Sequence, residues 1–360
     1  MGVRSSAVED VVDGGFWRGR RVLVTGHTGF KGGWLSLWLQ SLGAELTGFS
    51  DAVPTEPSLY ELAGVASGLR DLRGDVRDPA AVRKAVAGAE VVLHLAAQPL
   101  VRRSYEDPRE TFDVNVMGTV NVLEAVRAEP GVRVVVNVTS DKCYENREWE
   151  WAYREDEPMG GKDPYSASKG AAELVTAAYR RSYFTTEDGT RLASARAGNV
   201  IGGGDWGQDR LLPDVVRATL AGTPVAIRNP HALRPWQHVM NPLSGYLVLA
   251  QALWTSPEFA GAWNFGPAEE DARPVRWILE RLAARWPGEL AWQEDPGPHP
   301  PEAHHLKIDS SRARARLGWR PGWSLDEGLD RLVDWYAALS AGEEPRAVTL
   351  GQIKAFVAAR

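Results

Sequence analysis

Two rhythms of apolar residues alternate through the first half of the chain. Arg21-Val22-Leu23-Val24-Thr25 is a short β-branched run stopped by Gly26, the pattern of a strand buried on both faces. Trp34, Leu35, Leu37, Trp38, Leu39 and Leu42 then recur at helical spacing, and Gly43 supplies a stop before a second strand over 45–49. Further strands are predicted over 69–74, 91–95, 132–138 and 192–196, separated by helical stretches such as 108–128 and 164–184. Strands that alternate with helices predict an α/β fold, a Rossmann-type doubly wound parallel sheet.

Beyond Gly202 the rhythm changes. Gly and Pro become frequent, and helices over 211–221, 242–254, 275–286 and 325–340 are interleaved with short strands. The predicted organisation is a flexible leader 1–15, a dinucleotide-binding domain 16–202 that carries the catalytic residues, and a smaller C-terminal substrate-binding lobe 203–342, some of whose strands return to the first sheet. The tail 343–360 reads equally as one more helix or as a frayed end. There is no internal repeat and no low-complexity tract.

Composition narrows the function classes. The 360 residues carry 41 Lys plus Arg against 47 Asp plus Glu, without the basic excess of an electrostatic nucleic-acid binder. No apolar run is long enough to cross a bilayer, and the first residues lack the apolar stretch of a signal peptide. With Cys143 as its single cysteine the chain forms no internal disulfide, which suits a reducing cytoplasm. The 15 tryptophans imply core, interface or a stacking pocket.

The chemistry begins directly after the first strand. In Thr25-Gly26-His27-Thr28-Gly29-Phe30-Lys31-Gly32 the glycines permit a tight turn that seats a pyrophosphate on the next helix's N-terminus. The spacing is G-x-x-G-x-x-G, so strand before and helix after carry the reading with the glycines. Gly26, Thr28, Gly29, Phe30 and Gly32 are therefore candidate cofactor contacts. At the end of the second strand either Ser50 or Asp51 stands where a carboxylate would take the ribose hydroxyls. Asp51 favours NAD over NADP by repelling a 2′-phosphate, and Lys31 is the argument against. Asp75, followed by Val76, either reaches the adenine or is a solvated turn carboxylate.

Asp163-Pro164-Tyr165 reads as a helix start, with Asp at the N-cap and Pro at the first helical position. Tyr165 and Lys169 then share one face. An ammonium beside a phenol favours the phenolate, a usable base for an alcohol proton during hydride transfer. Y-x-x-x-K occurs by chance on many helices. Downstream of a nucleotide turn and of the hydroxyls Thr139 and Ser140, it points to chemistry. His299, His304 and His305 lack the spacing of a metal site, so no metal is expected, and Cys143, without a histidine partner in its local motif, is expected to pack.

These residues, with Leu95-Ala96-Ala97 and Asn115-Val116-Met117-Gly118, resemble the extended short-chain dehydrogenase/reductase family over nearly the whole chain. Within it, Gly26 to Gly32 with Trp34 to Leu39, Thr139-Ser140-Asp141-Lys142-Cys143-Tyr144-Glu145-Asn146, Glu157 to Gly161, and Arg196 to Trp206 are similar to the CDP-glucose 4,6-dehydratase branch. The resemblance implies a CDP-glucose substrate, NAD, Leu95, Ala96 and Ala97 as cofactor contacts, and no net consumption of cofactor. It implies that Ser140 orients the 4-hydroxyl, Tyr165 acts as base, Lys169 holds cofactor and phenolate, and Asp141 and Lys142 form the elimination pair. Related dehydratases commonly carry Asp-Glu where Asp141-Lys142 stands here. A basic Lys142 needs a depressed pKa, from burial or from Lys169; a structural ion pair with Asp141 or Glu145 is the plainer reading.

In the second lobe Asn199, Arg210, Arg234 and His238 fall in stretches that resemble the family's nucleotide-sugar contacts, and Trp206 and Trp236 either wall the pocket or pack it. Lys162 stands where the family often has tyrosine. The resemblance also implies a homodimer, through helices over 108–128 and 164–184 whose apolar residues Val114, Val122, Ala171 and Val175 would face the partner or the sheet. The rival readings are an epimerase, a dehydratase for another nucleotide sugar, and a cofactor-sensing protein without chemistry.

Overall fold

The computed structural model describes residues 12–186, 189–295, 297 and 305–360. Most of the expected leader, with His299 and His304, lies outside them. Six strands, β1 (Arg21–Thr25), β2 (Glu45–Ser50), β3 (Arg70–Arg73), β4 (Val91–His94), β5 (Val134–Val138) and β6 (Arg191–Arg196), pair in parallel. Val22, Leu23 and Val24 of β1, all of β4 and all of β5 are buried, as a sheet covered on both faces requires.

The helices of this half are α1 (Gly14–Trp17), α2 (Phe30–Ser41), α3 (Leu59–Leu62), α4 (Pro79–Val86), α5 (Val101–Glu106), α6 (Pro108–Phe112), α7 (Gly118–Ala128) and α8 (Pro164–Ser182). The end of the expected leader is thus folded. Asp13 caps α1, and Trp17 is fully buried with its indole N–H donated to Gln251 at 2.8 Å. The helix predicted over 108–128 is interrupted by a π-helical turn, Asp113–Met117. There the Asn115 amide bonds the Gln98 backbone at 2.9 and 3.1 Å and the Ser168 hydroxyl at 2.8 Å, tying the loop after β4 to α8.

The second half adds short strands β7 (Val200–Ile201), β8 (Val225–Ile227), β9 (Leu233–Pro235), β10 (Gln237–His238), β11 (Ala262–Asn264), β12 (Ala272–Pro274) and β13 (Trp292–Glu294). Its helices are α9 (Leu211–Leu220), α10 (Met240–Thr255), α11 (Val275–Arg285), α12 (Ser311–Leu317), α13 (Leu325–Ser340) and α14 (Pro345–Ala358). β11 pairs with β6, so the central sheet runs β11-β6-β5-β4-β1-β2-β3.

The tail is helical because α14 buries Ile353 and Phe356, the latter edge-on to Trp38 of α2 at 5.9 Å. One apolar cluster runs through both halves, and Trp17, Trp34, Trp38, Trp263, Trp319 and Trp335 are fully buried. Much of the tryptophan surplus is therefore core. No helix among the described residues is long and apolar enough to cross a membrane.

Candidate active site

A cavity of about 1220 Å³ opens at the carboxyl ends of β1, β2, β4, β5 and β6, where ligands of open α/β sheets bind. The glycine turn forms one wall. Gly26 has φ +76°, and a Cβ there would stand 2.8 Å from the Ala96 nitrogen; a Cβ on Gly32 would stand 2.0 Å from the Gly26 carbonyl oxygen. Only glycine lets the turn approach both the loop after β4 and its own helix. Gly29 caps α2 without a side chain, so the first amides of this 12-residue helix stay open to an anion.

Gly26, Thr28, Gly29, Phe30, Gly32, Asp51, Asp75, Val76, Leu95, Ala96 and Ala97 all line the cavity. The turn and this lining fit a dinucleotide. His27, buried beneath the turn, bonds the Ser50 hydroxyl at 2.9 Å and Asp71 at 2.8 Å. Ser50 is thereby occupied, and exposed Asp51 is left facing the cavity. Both Asp75 oxygens are taken by the Arg77 backbone and guanidinium, which hold its carboxyl below the usual range. Its reach to an adenine is reduced accordingly.

β5 delivers Ser140 and Asp141 to the cavity through the 3-10 turn Asp141–Cys143. Ser140 Oγ donates to Asp141 Oδ1 at 2.9 Å and accepts from the Lys142 N–H at 3.2 Å. Asp141 Oδ2 is buried without a partner, and burial raises the Asp141 pKa, favouring the protonated acid. Lys142 Nζ lies 5.8 Å from the centre of the Tyr165 ring. Among the described residues neither Asp141 nor Glu145 forms an ion pair with it.

Asp163 caps α8, accepting from the Ser166 N–H at 2.9 Å, and so fixes Tyr165 in the first turn and Lys169 one turn on. The expected pull of Lys169 on the phenol is not what governs Tyr165. Burial pushes the phenol up to about 12, and the groups that draw it back are the Ser140 hydroxyl and Arg210. Burial also brings Lys169 down to about 8, which weakens its standing positive charge.

A further turn along α8 lies Glu173, unremarked in the motif. It is buried, and its oxygens accept from Thr139 Oγ1 at 2.5 Å, Ser194 Oγ at 2.7 Å and Arg196 Nη2 at 2.7 Å. Arg196 also reaches the Tyr144 hydroxyl at 2.7 Å. This network fastens α8 to the ends of β5 and β6 immediately beside Ser140. Its sequence signal was the continuation of the Tyr165, Lys169 stripe by four residues.

On the other side of the cavity stand Asn199, Arg210 and Arg234, with Trp206 and Trp236. Arg210 is held by Asp205 at 3.1 Å, and Arg102 of α5 meets Asp209 of the opposite lobe at 3.1 Å across the cavity lining. His238 is a correction. It is fully buried, does not line the cavity, lies edge-on to Trp34 and Trp323 with ring centres 5.8 and 4.9 Å away, and is driven down to about 3 by burial. A neutral imidazole sealed by two indoles cannot meet a diphosphate. Cys143 is buried, and burial raises its thiol pKa, so it packs. No metal-holding cluster of His, Cys, Asp and Glu occurs among the described residues.

Comparison with known proteins decides the family. The model of the NAD dependent epimerase/dehydratase family matches residues 22–264. The chain belongs to that family. Among its members, a CDP-glucose 4,6-dehydratase of Salmonella typhimurium (strain LT2) is 52% identical over 341 residues, 93% of this chain and 95% of that protein. A dTDP-glucose 4,6-dehydratase of Mycolicibacterium smegmatis is 30% identical over 326 residues, 88% of this chain and 93% of its own length. The fold also matches the Thermus thermophilus UDP-glucose 4-epimerase solved with NAD, with a TM-score of 0.74, 28% identity, and coverage of 87% of this chain and 98% of that one. As a member of this family the chain is an NAD-dependent enzyme with a Rossmann-like sheet.

Proposed function

We propose that this enzyme is a CDP-glucose 4,6-dehydratase, converting CDP-glucose to CDP-4-dehydro-6-deoxyglucose and water. The observation that carries the reading is the convergence of Ser140, Asp141, Lys142, Tyr165 and Lys169 on one cavity with the dinucleotide turn, and the similarity to the Salmonella dehydratase supports the choice of CDP. Bound NAD supplies the electron acceptor for C4 and the same electrons for C6. Tyr165, as the phenolate that the Ser140 hydroxyl and Arg210 favour against burial, takes the proton of the C4 hydroxyl through Ser140, and Lys169 would hold the cofactor's ribose side. The resulting 4-ketone acidifies the proton at C5. Lys142 removes that proton and returns one to C5 as C6 is reduced, and Asp141, whose protonated form burial favours, gives its own to the hydroxyl leaving C6. Arg210 and Arg234 bind the sugar's diphosphate with paired donors.

An epimerase shares the first step and lacks the second, so isotope placement separates them. With substrate deuterated at C4, the label appears at C6 of the same sugar as one water is lost, and the CDP sugar is turned over in preference to the dTDP, UDP and GDP sugars. Label returned to C4 with inversion and no loss of water would overturn the reading.

The enzyme also works as a homodimer, in this proposal, through the face of α6, the π-helical turn and α8. The residues that support it differ from those expected. Val122 is fully buried, and Val114 and Val175 pack beneath the helices onto the sheet-side core. Phe112, Met117 and Leu174 are instead the exposed apolar side chains, Leu174 at 62%, and a second copy of the same face would cover them. NAD preference over NADP rests on Asp51, and a cytoplasmic location suits the single buried cysteine.

A further inference from the structure

The sheet face that α7 and α8 cover changes character toward its carboxyl edge. Leu23, Val92, Val135 and Leu192 stand side by side on β1, β4, β5 and β6, and all four belong to the buried apolar cluster against which Val175 of α8 packs. Side chains two residues further along each strand point to the same face. There the row is Thr25, His94, Asn137 and Ser194, all polar and all 3% exposed or less. His94 bonds Thr25 Oγ1 at 2.7 Å. Asn137 Nδ2 donates to Thr176 Oγ1 of α8 at 2.8 Å, and Ser194 Oγ donates to Glu173 of α8 at 2.7 Å. Thr176, fully buried, gives its own proton to the Ala172 carbonyl at 2.7 Å. Burying polar groups gains little net stability and carries a large penalty wherever a bond is missed, so apolar side chains would serve the core as well. What a satisfied polar row adds is a unique arrangement of the pieces it joins.

The piece that matters is α8. Tyr165, Lys169, Glu173 and Thr176 follow one another at helical spacing on one face; the first two line the cavity and the last two reach the sheet. Apolar packing is non-directional and holds the helix against the sheet without fixing its place along the strands, whereas a hydrogen bond fixes distance and direction. A slip of one residue along the helix axis would carry the phenol about 1.5 Å, and about 1 Å of misplacement can cost on the order of 10²-fold in rate. We propose that Asn137 and Thr176 are positioning residues of the reaction, whose bond fixes how far α8 sits along the sheet and so holds Tyr165 and Lys169 in register with the nucleotide turn on β1. Neither residue lines the cavity, so both act through α8. Glu173 pins the same helix, but its removal would strand the buried Arg196. The Asn137 and Thr176 bond is neutral, so through it the register is changed alone.

The test uses the holoenzyme turning over CDP-glucose. The inference rests on the reading of Tyr165 as the base, and undiminished turnover in Tyr165→Phe would be the separate failure of that reading. Asn137→Leu/Thr176→Val replaces both polar partners at once, which is nearly neutral for stability. Its urea-unfolding midpoint should stay close to wild type while kcat falls about tenfold, with NAD affinity and KM for the sugar unmoved. Thr176→Ser keeps the hydroxyl and gives up a buried methyl, so its midpoint should fall while kcat stays at the wild-type value. Rate and stability then move in opposite order, whereas a merely structural pair makes rate follow stability. If the double variant does not fold, Thr176→Val, which keeps the shape and loses the acceptor, is compared with Thr176→Ser in the same assays. Wild-type kcat in the valine variants would overturn the proposal. So would a kcat that falls in step with NAD affinity, or a serine variant as slow as the valine one.

Discussion

Glu173→Gln and Arg196→Met each remove one partner of an ion pair whose side chains are both 4% exposed. The glutamate accepts three side-chain hydrogen bonds, and the arginine's Nη1 is committed to the Tyr144 hydroxyl and the Glu155 carbonyl, at 2.7 and 3.0 Å. Neither survivor can turn to water. An orphaned buried charge costs about 3–5 kcal/mol, so each single variant should lose roughly that much stability at neutral pH. The double variant leaves no orphan and should cost about 2 kcal/mol or more less than the sum, the coupling read by a double-mutant cycle.

The pH dependence carries a sign. Burial would raise the Glu173 carboxyl, but Arg196 and the hydrogen bonds hold it below the ordinary value of 4.5. Its contribution is therefore complete above about 4.5 and is lost as pH falls through the lower folded value. The gap between wild type and Glu173→Gln should be constant across neutral pH and close in acid. Urea-unfolding midpoints at a series of pH values measure both effects. Single-variant losses under about 1 kcal/mol, or singles that add up to the double, would show that solvent reaches the pair and refute the reasoning.

Tyr165→Phe should lower turnover about 10²–10⁴-fold by blocking C4 oxidation, whereas Lys142→Ala should permit that oxidation and stall elimination, seen as persistent reduced-cofactor absorbance with little 6-deoxy product. Equal loss of both half-reactions in Lys142→Ala would remove it from the elimination step. Asp51→Ala should narrow the preference for NAD over NADP by about tenfold, since a carboxylate no longer opposes a 2′-phosphate; an unchanged ratio in a binding titration would shift selectivity elsewhere. Light scattering at micromolar concentration should give the proposed dimer for wild type and a monomer for Leu174→Asp; a monomeric wild type would overturn the dimer, and a variant that stays dimeric would place the interface on another face.

The sheet, the nucleotide turn and the Tyr165, Lys169 pair were legible in the sequence because each is written locally. Val22-Leu23-Val24 followed by Gly26 needs only a few residues to read as strand and turn, and Asp163-Pro164 marks a helix start by itself. His238 misled because it follows Arg234 and Trp236, which do line the cavity, yet lies on a separate strand, β10, that pairs with β7 and packs its ring against Trp34 and Trp323. Val122 was left open between partner and sheet and faces the sheet, since a helix covering a sheet has two apolar faces and the sequence alone does not say which is free. The partners that occupy Ser50, His27 held in turn by Asp71, and those that hold Glu173, Thr139, Ser194 and Arg196, all lie far along the chain. Such long-range partners leave no spacing to read.

Strand order explains why these separately written pieces act together. β1 carries the glycine turn and β5 the Ser140, Asp141 turn, with β4 alone between them. Two strand spacings of about 4.8 Å put the two turns roughly 10 Å apart. The loop after β4 bridges that interval. Thr25 Oγ1, at the end of β1, accepts from the Leu95 and Ala96 amides at 3.1 Å each, and Asn115 binds the backbone of Gln98 and the hydroxyl of Ser168 on α8. The nucleotide turn, the bridge and the helix bearing Tyr165 and Lys169 are thus joined by hydrogen bonds between buried groups, which are costly to break. A change in the bridge should therefore move the base relative to the cofactor's seat without touching either. Asn115→Leu, which removes the amide and keeps the bulk, should lower kcat with little change in NAD affinity. An equal loss of both would mean that the bridge supports the turn and not the alignment between turn and base.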